Sequence, residues 1–225
     1  FQKDNIIINI KKPLQKRRFF IAYKTLFTQD YFLKNLCNTI LDLWSIKMLN
    51  PANTVIVCID LQEKLVKMLN NPDVIASNCT KLMQTANILN IETIITEQYP
   101  KGLGETIESI NSIKTFKKIE KTTFSAYETD EFKKYIDSLN KKQVIIFGIE
   151  THICTLQTTI DLINKGYEVY VVQDCSSSRN ESNHNCALDL IKQKGGFITS
   201  LEIVLFDFLK SSKHPNFKEI QSLIK

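Results

Sequence analysis

The sequence predicts an α/β fold, a three-layer doubly wound sheet of about six mostly parallel strands with helices on both faces. Three observations predict it. Short apolar runs rich in β-branched residues recur at 54–59, 93–95, 144–147 and 169–172, without the apolar/polar alternation of a half-exposed strand. Segments of helical periodicity separate them, and strands alternating with helices on that scale specify parallel pairing. A chain of 225 residues, 43% of them hydrophobic, is also long enough to bury one sizeable core.

Taken in order, Thr54 to Ile59 reads as a buried strand that ends at Asp60-Leu61-Gln62. Residues 72–90 read as a helix whose apolar face carries Val74, Ile75, Leu82, Ala86 and Leu89. A strand over 92–97 follows, then a loop over 99–104 marked by Pro100, Gly102 and Gly104. Residues 117–121 predict a short strand, and 130–139 a helix capped at Thr129. The apolar run 144–147 predicts the central strand, punctuated by Gly148. Thr151 is placed to cap a helix that ends at Lys165-Gly166. A strand over 168–173 ends in Asp174, a helix over 181–194 closes at Gly195-Gly196, and a last strand from Phe197 passes into an apolar helix over 201–209.

The chain divides into a basic extension over 1–47, a main domain over 48–210 and a polar, frayed tail over 211–225. The net charge of +5 is concentrated at one end. Residues 1–47 hold nine Lys/Arg against three Asp/Glu, and the remainder twenty against twenty-one. The main domain is therefore neutral, and the short cluster Lys16-Arg17-Arg18-Phe19-Phe20 alone does not make a nucleic-acid surface. Met48-Leu49-Asn50-Pro51 resembles a natural start, and three readings of the extension stand: an organellar presequence, a folded helical extension with periodicity over 25–46, or sequence foreign to the native protein. The six cysteines (37, 58, 79, 154, 175, 186) form no CxxC pair, the usage of a reducing compartment. No apolar run is long enough to span a membrane. Together these point to a cytoplasmic protein, or a mitochondrial one if residues 1–47 are a presequence.

The rest of the chain is organised around 144–155. A strand, a tight turn and a helix there place Cys154 in a first helical turn, where free N–H groups and the helix dipole favour a thiolate. On this stretch alone Cys154 reads equally well as a small apolar residue in a helix. Ligands of doubly wound sheets bind at the carboxyl ends of the strands. Asp60, Glu97, Lys121, Cys154 and Asp174 all fall at or just past such ends and are expected on one rim. A carboxylate, an ammonium and a thiol gathered there suit nucleophilic catalysis. Among the cysteines, Cys154 alone combines a helix N-terminus with a lysine, so it is expected to alkylate first.

Several segments, in order, resemble the isochorismatase-like cysteine hydrolase superfamily over roughly 53–209. Val57-Cys58-Ile59-Asp60-Leu61-Gln62 is similar to its opening strand with D-x-Q, and Lys121-Thr122-Thr123-Phe124-Ser125-Ala126-Tyr127 to its K-x-x-[FY]-S-[AG]-[FY] segment. Gly148-Ile149-Glu150-Thr151-His152-Ile153-Cys154 resembles the nucleophile turn, and Asp174-Cys175-Ser176-Ser177-Ser178-Arg179 with His184 the element that follows. The resemblance implies that Asp60 is the general base, Cys154 the nucleophile, and Lys121, not Lys117 or Lys118, the stabilising cation. It implies a cis peptide between Ile149 and Glu150 and an oxyanion hole from the N–H groups of Glu150 and Cys154. It places Gln62, Gln98, Phe124 and Tyr127 around the substrate pocket.

Metal-dependent nicotinamidases of the superfamily carry an Asp-x-His after the second strand. Here Thr96-Glu97-Gln98-Tyr99-Pro100 has no histidine, and His152, His184 and His214 are dispersed, so no catalytic metal and no cofactor are expected. His152 and His184 are expected to be structural. The run around Gln98 resembles the isochorismatase-domain subgroup. The function implied is metal-independent hydrolysis of a small amide, imide or related C–N substrate, by a homo-oligomer with no nucleic-acid or membrane partner. Isochorismate-type vinyl-ether hydrolysis and a non-catalytic binding protein on the same fold are the alternatives.

Overall fold

The computed structural model describes residues 6–11, 16–21, 48–113 and 116–225. They belong to two compact units, 1–47 and 48–225. In the first, β1 (Ile6–Lys11) and β2 (Lys16–Ile21) form an antiparallel hairpin with Ile6 opposite Ile21 and Lys11 opposite Lys16. The sequence reading placed no strands there, although Ile-rich and Phe-rich segments suit β pairing. The helical expectation for 25–46 lies outside the described residues.

The second unit is built on six parallel strands: β3 (Thr54–Ile59), β4 (Thr93–Gln98), β5 (Lys117–Lys121), β6 (Gln143–Ile149), β7 (Glu168–Ser177) and β8 (Phe197–Thr199). Their order is β5-β4-β3-β6-β7-β8. Between them run α1 (Glu63–Val66), α2 (Pro72–Ile88), α3 (Pro100–Leu103), α4 (Glu108–Asn111), α5 (Asp130–Ser138), α6 (Leu156–Asn164) and α7 (Glu181–Lys194), and α8 (Leu201–Leu209) and α9 (Phe217–Ser222) follow β8. None of the described helices is long and apolar enough to cross a membrane.

Each central strand feeds both faces of the sheet, as a pleat of period two requires. On one face Ile56, Cys58, Ile95, Ile145 and Phe147 meet Cys79, Leu82 and Met83 of α2 and Val204, Leu205 and Phe208 of α8. On the other, Val55, Val57, Ile59, Val144 and Ile146 meet Phe132 and Ile136 of α5, Leu162 of α6 and Leu188 and Ile191 of α7. The outer layers lie on opposite faces, giving the three layers that the sequence predicts.

Two expectations are corrected. Val74, assigned to the buried face of α2, is 59% exposed, while Ile75, Leu82 and Ala86 of that expected face are buried together with Cys79 and Met83. The stretch after Lys210, expected as a frayed polar tail, forms α9, whose Ile220 is buried in the core of the α2 and α8 face. A polar segment was enough to hide one apolar anchor at helical spacing from its partly buried neighbours Phe217 and Ile224. Ile220→Ala is expected to destabilise the fold by about 2–5 kcal/mol, read as a lowered midpoint in urea unfolding. An unchanged midpoint would mean that α9 contributes nothing to the core.

Candidate active site

The strand order reverses direction between β3 and β6, and ligands of doubly wound sheets bind at the carboxyl ends of the strands at such a switch point. Asp60 follows β3, and Cys154 follows β6 by one short turn. The two strand ends approach closely. A Cβ on Gly148, which has φ +121°, would stand 2.1 Å from the Ile59 carbonyl oxygen, so only glycine fits beside the residue that precedes Asp60.

Asp60 is fully buried and turns the chain with φ +48°, a left-handed conformation that aspartate tolerates better than most residues. Its Oδ1 accepts from Thr96 Oγ1 at 2.7 Å, and its Oδ2 accepts from Lys121 Nζ at 2.7 Å. The ammonium of Lys121 also donates to Gln98 Oε1 at 2.7 Å and faces the carbonyls of Thr123 at 3.1 Å and Phe124 at 3.3 Å. A buried lysine is tolerable only with such company, since an unpaired charge there would be severely desolvated. Lys117 and Lys118 point elsewhere, to Glu131 and Glu97.

Cys154 lies in a π-helical turn, Thr151–Thr155, that precedes α6. Its thiol interacts with both Asp60 and Lys121, so the three residues read from the sequence do converge. The expected electrostatic outcome is reversed, however. Burial, then the Asp60 charge, push the thiol up to about 12 against the opposing pull of Lys121. The helix-dipole expectation omitted desolvation, and at 7% exposure desolvation is the larger effect. Thr151 caps nothing: its hydroxyl bonds His184 Nδ1 at 2.9 Å.

That bond is part of a clamp. Three consecutive residues of the turn that leads to Cys154 are each tied to the segment between β7 and the first turn of α7. Glu150 Oε1 accepts from the Arg179 backbone N at 2.9 Å and Nε at 3.0 Å, and His152 Nδ1 meets Ser178 Oγ at 2.9 Å. Burial lowers the pKa of His184, favouring the neutral ring at its contact with Thr151. The Ile149–Glu150 peptide is cis.

The other expected site residues divide. Gln98 joins the cluster, with Oε1 on Lys121 and Nε2 donating to the Thr122 carbonyl at 2.9 Å. Phe124 is 55% exposed beside it. Gln62 and Tyr127, expected in the substrate pocket, have their polar atoms committed to the protein instead. The Gln62 amide donates to the carbonyls of Gln98 and Gly104 and accepts from the Gln98 N–H, holding the β4–α3 loop. Tyr127 is buried with its hydroxyl on Asp137. Of the rim acids, Glu97 faces the other way. Burial alone would raise its carboxyl, but donors from Thr106 and the Lys118 ammonium hold it below the ordinary range. Asp174 Oδ1 receives the Leu201 N–H at the start of α8. The sequence reading missed Thr96, one of four polar residues in β4, which nothing in the sequence singles out from Thr93. Among the described residues no three His, Cys, Asp or Glu gather as metal ligands.

The thiols can be ranked from this geometry. Cys58, Cys79 and Cys175 are buried, and burial raises Cys58 and Cys79 well above the usual value. Cys186 is exposed. Among these and Cys154, iodoacetamide at neutral pH is expected to label Cys186 first, reversing the order that the sequence suggests. A group with its pKa at about 12 is ionised to only about one part in 10⁵ at pH 7, and its labelling should accelerate about tenfold per pH unit above that. Peptide mass mapping of a pH series checks both statements; labelling of Cys154 ahead of Cys186 at pH 7 would refute them.

Comparison with known proteins bears on the same residues. The isochorismatase domain family model matches residues 54–203, from β3 into α8. Isochorismatase domain-containing protein 1 of Danio rerio is 36% identical over 185 residues, 82% of this chain and 65% of that protein. Its counterpart 2 of Xenopus laevis is 38% identical over 177 residues, 78% of this chain and 85% of that protein. The chain thus spans just under two thirds of the Danio rerio relative. A solved structure described as MAR1 ribonuclease from Caenorhabditis elegans is 36% identical, with a TM-score of 0.75 over 79% of this chain and 92% of that one. The Escherichia coli YcaC product, described as an octameric hydrolase of unknown specificity, shares the fold with a TM-score of 0.73 over 79% of this chain and 96% of its own, at 22% identity. Since the matched span covers most of the chain and includes Asp60, Lys121 and Cys154, the chain belongs to the isochorismatase family.

Proposed function

We propose that the protein is a metal-independent cysteine hydrolase acting on the carbonyl of a small amide, imide or related C–N substrate. The observation that carries this reading is the buried Asp60–Lys121 pair at 2.7 Å acting on the Cys154 thiol. The raised pKa assigns the resting enzyme a neutral thiol. The proton therefore leaves sulfur as the S–C bond forms, and Asp60 receives it. The tetrahedral oxyanion accepts hydrogen bonds from the N–H groups of Glu150 and Cys154, where charge develops. As the C–N bond breaks, Asp60 returns its proton to the leaving nitrogen, giving an acyl thioester and a free amine. Water, deprotonated by Asp60, then hydrolyses the thioester and restores the thiol. Lys121, bonded to Asp60 at 2.7 Å, fixes the carboxylate and offsets the negative charge that passes between sulfur and oxygen.

The test is a screen of small amides and ureides with wild type and Cys154→Ala, with intact-mass trapping of the acyl-enzyme. Turnover with an adduct on Cys154 supports the reading. Turnover that survives Cys154→Ala would favour vinyl-ether or other chemistry that needs no thiol. An RNA oligonucleotide belongs in the panel because of the ribonuclease description of the Caenorhabditis elegans relative. RNA cleavage without amide turnover would replace the reading.

A further inference from the structure

We propose that Thr96 is a positioning residue for the acylation step: it holds the Asp60 carboxylate at a second point and so fixes how that carboxylate meets the Cys154 thiol. The proposal rests on the reading of Asp60 as the base and Cys154 as the nucleophile. β4 lies between the strand that ends at Asp60 and the strand that carries Lys121, and Thr96 stands opposite Ile59, the residue before Asp60. It grips Asp60 twice. Its carbonyl accepts the Asp60 N–H at 3.1 Å, and its hydroxyl donates to Oδ1 at 2.7 Å. Thr96 and Asp60 are both fully buried, so bulk water does not compete for either bond.

The needs of the strand do not explain this hydroxyl. A covered parallel strand favours valine or isoleucine, which are branched like threonine but bring no polar group to desolvate. Thr85, Thr93 and Thr158 are buried too, and each donates its hydroxyl to a backbone carbonyl no more than four residues away. Thr96 instead reaches a carboxylate 36 positions away. Lys121 by itself is a poor guide for that carboxylate. One bond to Oδ2 leaves a planar group free to swing about it, and the ammonium ends a long flexible stem. Threonine, branched at Cβ, is stiff at χ1, and β4 is paired on both sides. A donor on a rigid strand supplies the second point, and two points fix the plane. Each oxygen keeps a further lone pair for the thiol proton. A carboxylate released from Thr96 remains a base but meets the thiol in fewer of its orientations.

The test is single-turnover acylation of the full chain by p-nitrophenyl acetate at neutral pH. The S–C bond forms, the C–O bond breaks, p-nitrophenolate leaves, and the thiol proton passes to Asp60 and on to solvent. The rate is read from nitrophenolate release, corrected with Cys154→Ala, and the acetyl group is located by peptide mass mapping. Thr96→Val is expected to slow acylation about 10- to 100-fold, the scale of a misplaced catalytic group. Thr96→Ser, which restores the hydroxyl, should recover most of the rate. Where valine does not fold, Thr96→Ala removes the same hydroxyl without placing a methyl against the carboxylate. In an Asp60→Asn background neither change should cost anything further, because no base is left to position; a merely structural role would cost the same in both backgrounds. Hydroxyl-free variants at the wild-type rate, Thr96→Ser as slow as they are, or an equal loss beside Asp60→Asn overturns the role of Thr96 and leaves Asp60 and Cys154 as assigned. Asp60→Asn at the wild-type rate removes the base from the underlying reading, and acetylation that spares Cys154 removes the nucleophile.

Discussion

Asp60→Asn is expected to keep the fold and lower kcat/KM by about 10²–10⁴-fold, the usual contribution of a general base. The amide is isosteric. Its oxygen can still face Lys121 Nζ, and its NH₂ can donate to Thr96 Oγ1, which then accepts where it now donates at 2.7 Å. What disappears is a group able to take the thiol proton. The substitution also leaves Lys121, wholly buried, without its counter-ion, a change that typically costs about 3–5 kcal/mol. A thermal melt must therefore accompany the kinetics. A further readout separates lost catalysis from general damage. The Asp60 charge helps to raise the Cys154 pKa, so its removal should speed alkylation of the thiol while turnover falls. Near wild-type turnover in Asp60→Asn would end its assignment as the base.

Gly148→Ala is expected to be the most damaging single methyl that can be added near the site. The new Cβ would stand 2.1 Å from the Ile59 oxygen and 2.8 Å from the Ile59 carbon and nitrogen. These are backbone atoms of the neighbouring strand, paired with Gly148 itself, so no side chain can swing away to make room. The φ of +121° adds a conformation that alanine rarely adopts. The strands must part just where one delivers Asp60 and the other leads into the turn that bears Cys154. Overpacking with backbone strain is expected to cost more than about 4 kcal/mol, a lowering of Tm by about 10 °C or more. A melt within about 2 °C of wild type would show that β3 and β6 can separate there cheaply.

Most of this architecture was legible because it rests on buried strands. Apolar runs such as 54–59 and 144–147 have few alternatives to a covered parallel sheet, and the switch-point rule then gathers Asp60 and Cys154. Lys121 could be chosen over Lys117 and Lys118 only by its motif, since three nearby lysines have the same chemistry. Side-chain direction was the harder quantity. Tyr127 lies in a recognisable segment, yet nothing in its neighbours' identity says that its hydroxyl turns to Asp137. The Thr151 cap failed for a related reason. Its hydroxyl had a distant competitor in His184, and sequence patterns express local bonding far better than contacts across 33 positions. The sign of the Cys154 shift required its burial, which emerges only when α6 and the sheet close around it.

The buried thiols give the molecule an alkaline limit. Cys58 and Cys79 are wholly enclosed, Cys154 nearly so, and each holds its proton more tightly in the native chain than an unfolded one would, where a thiol titrates near 8.5. Below that value both states are protonated and the native advantage is complete. As pH climbs from there towards the folded values, the unfolded ensemble gains charge that the native state refuses, and stability drains by about 1.4 kcal/mol per unit for each such thiol. Urea midpoints measured between pH 8 and 11 should fall ever more steeply, and exchanging Cys58 for alanine should flatten the curve. The same enclosure that holds the proton on Cys154 thus sets how basic a solution the fold can survive.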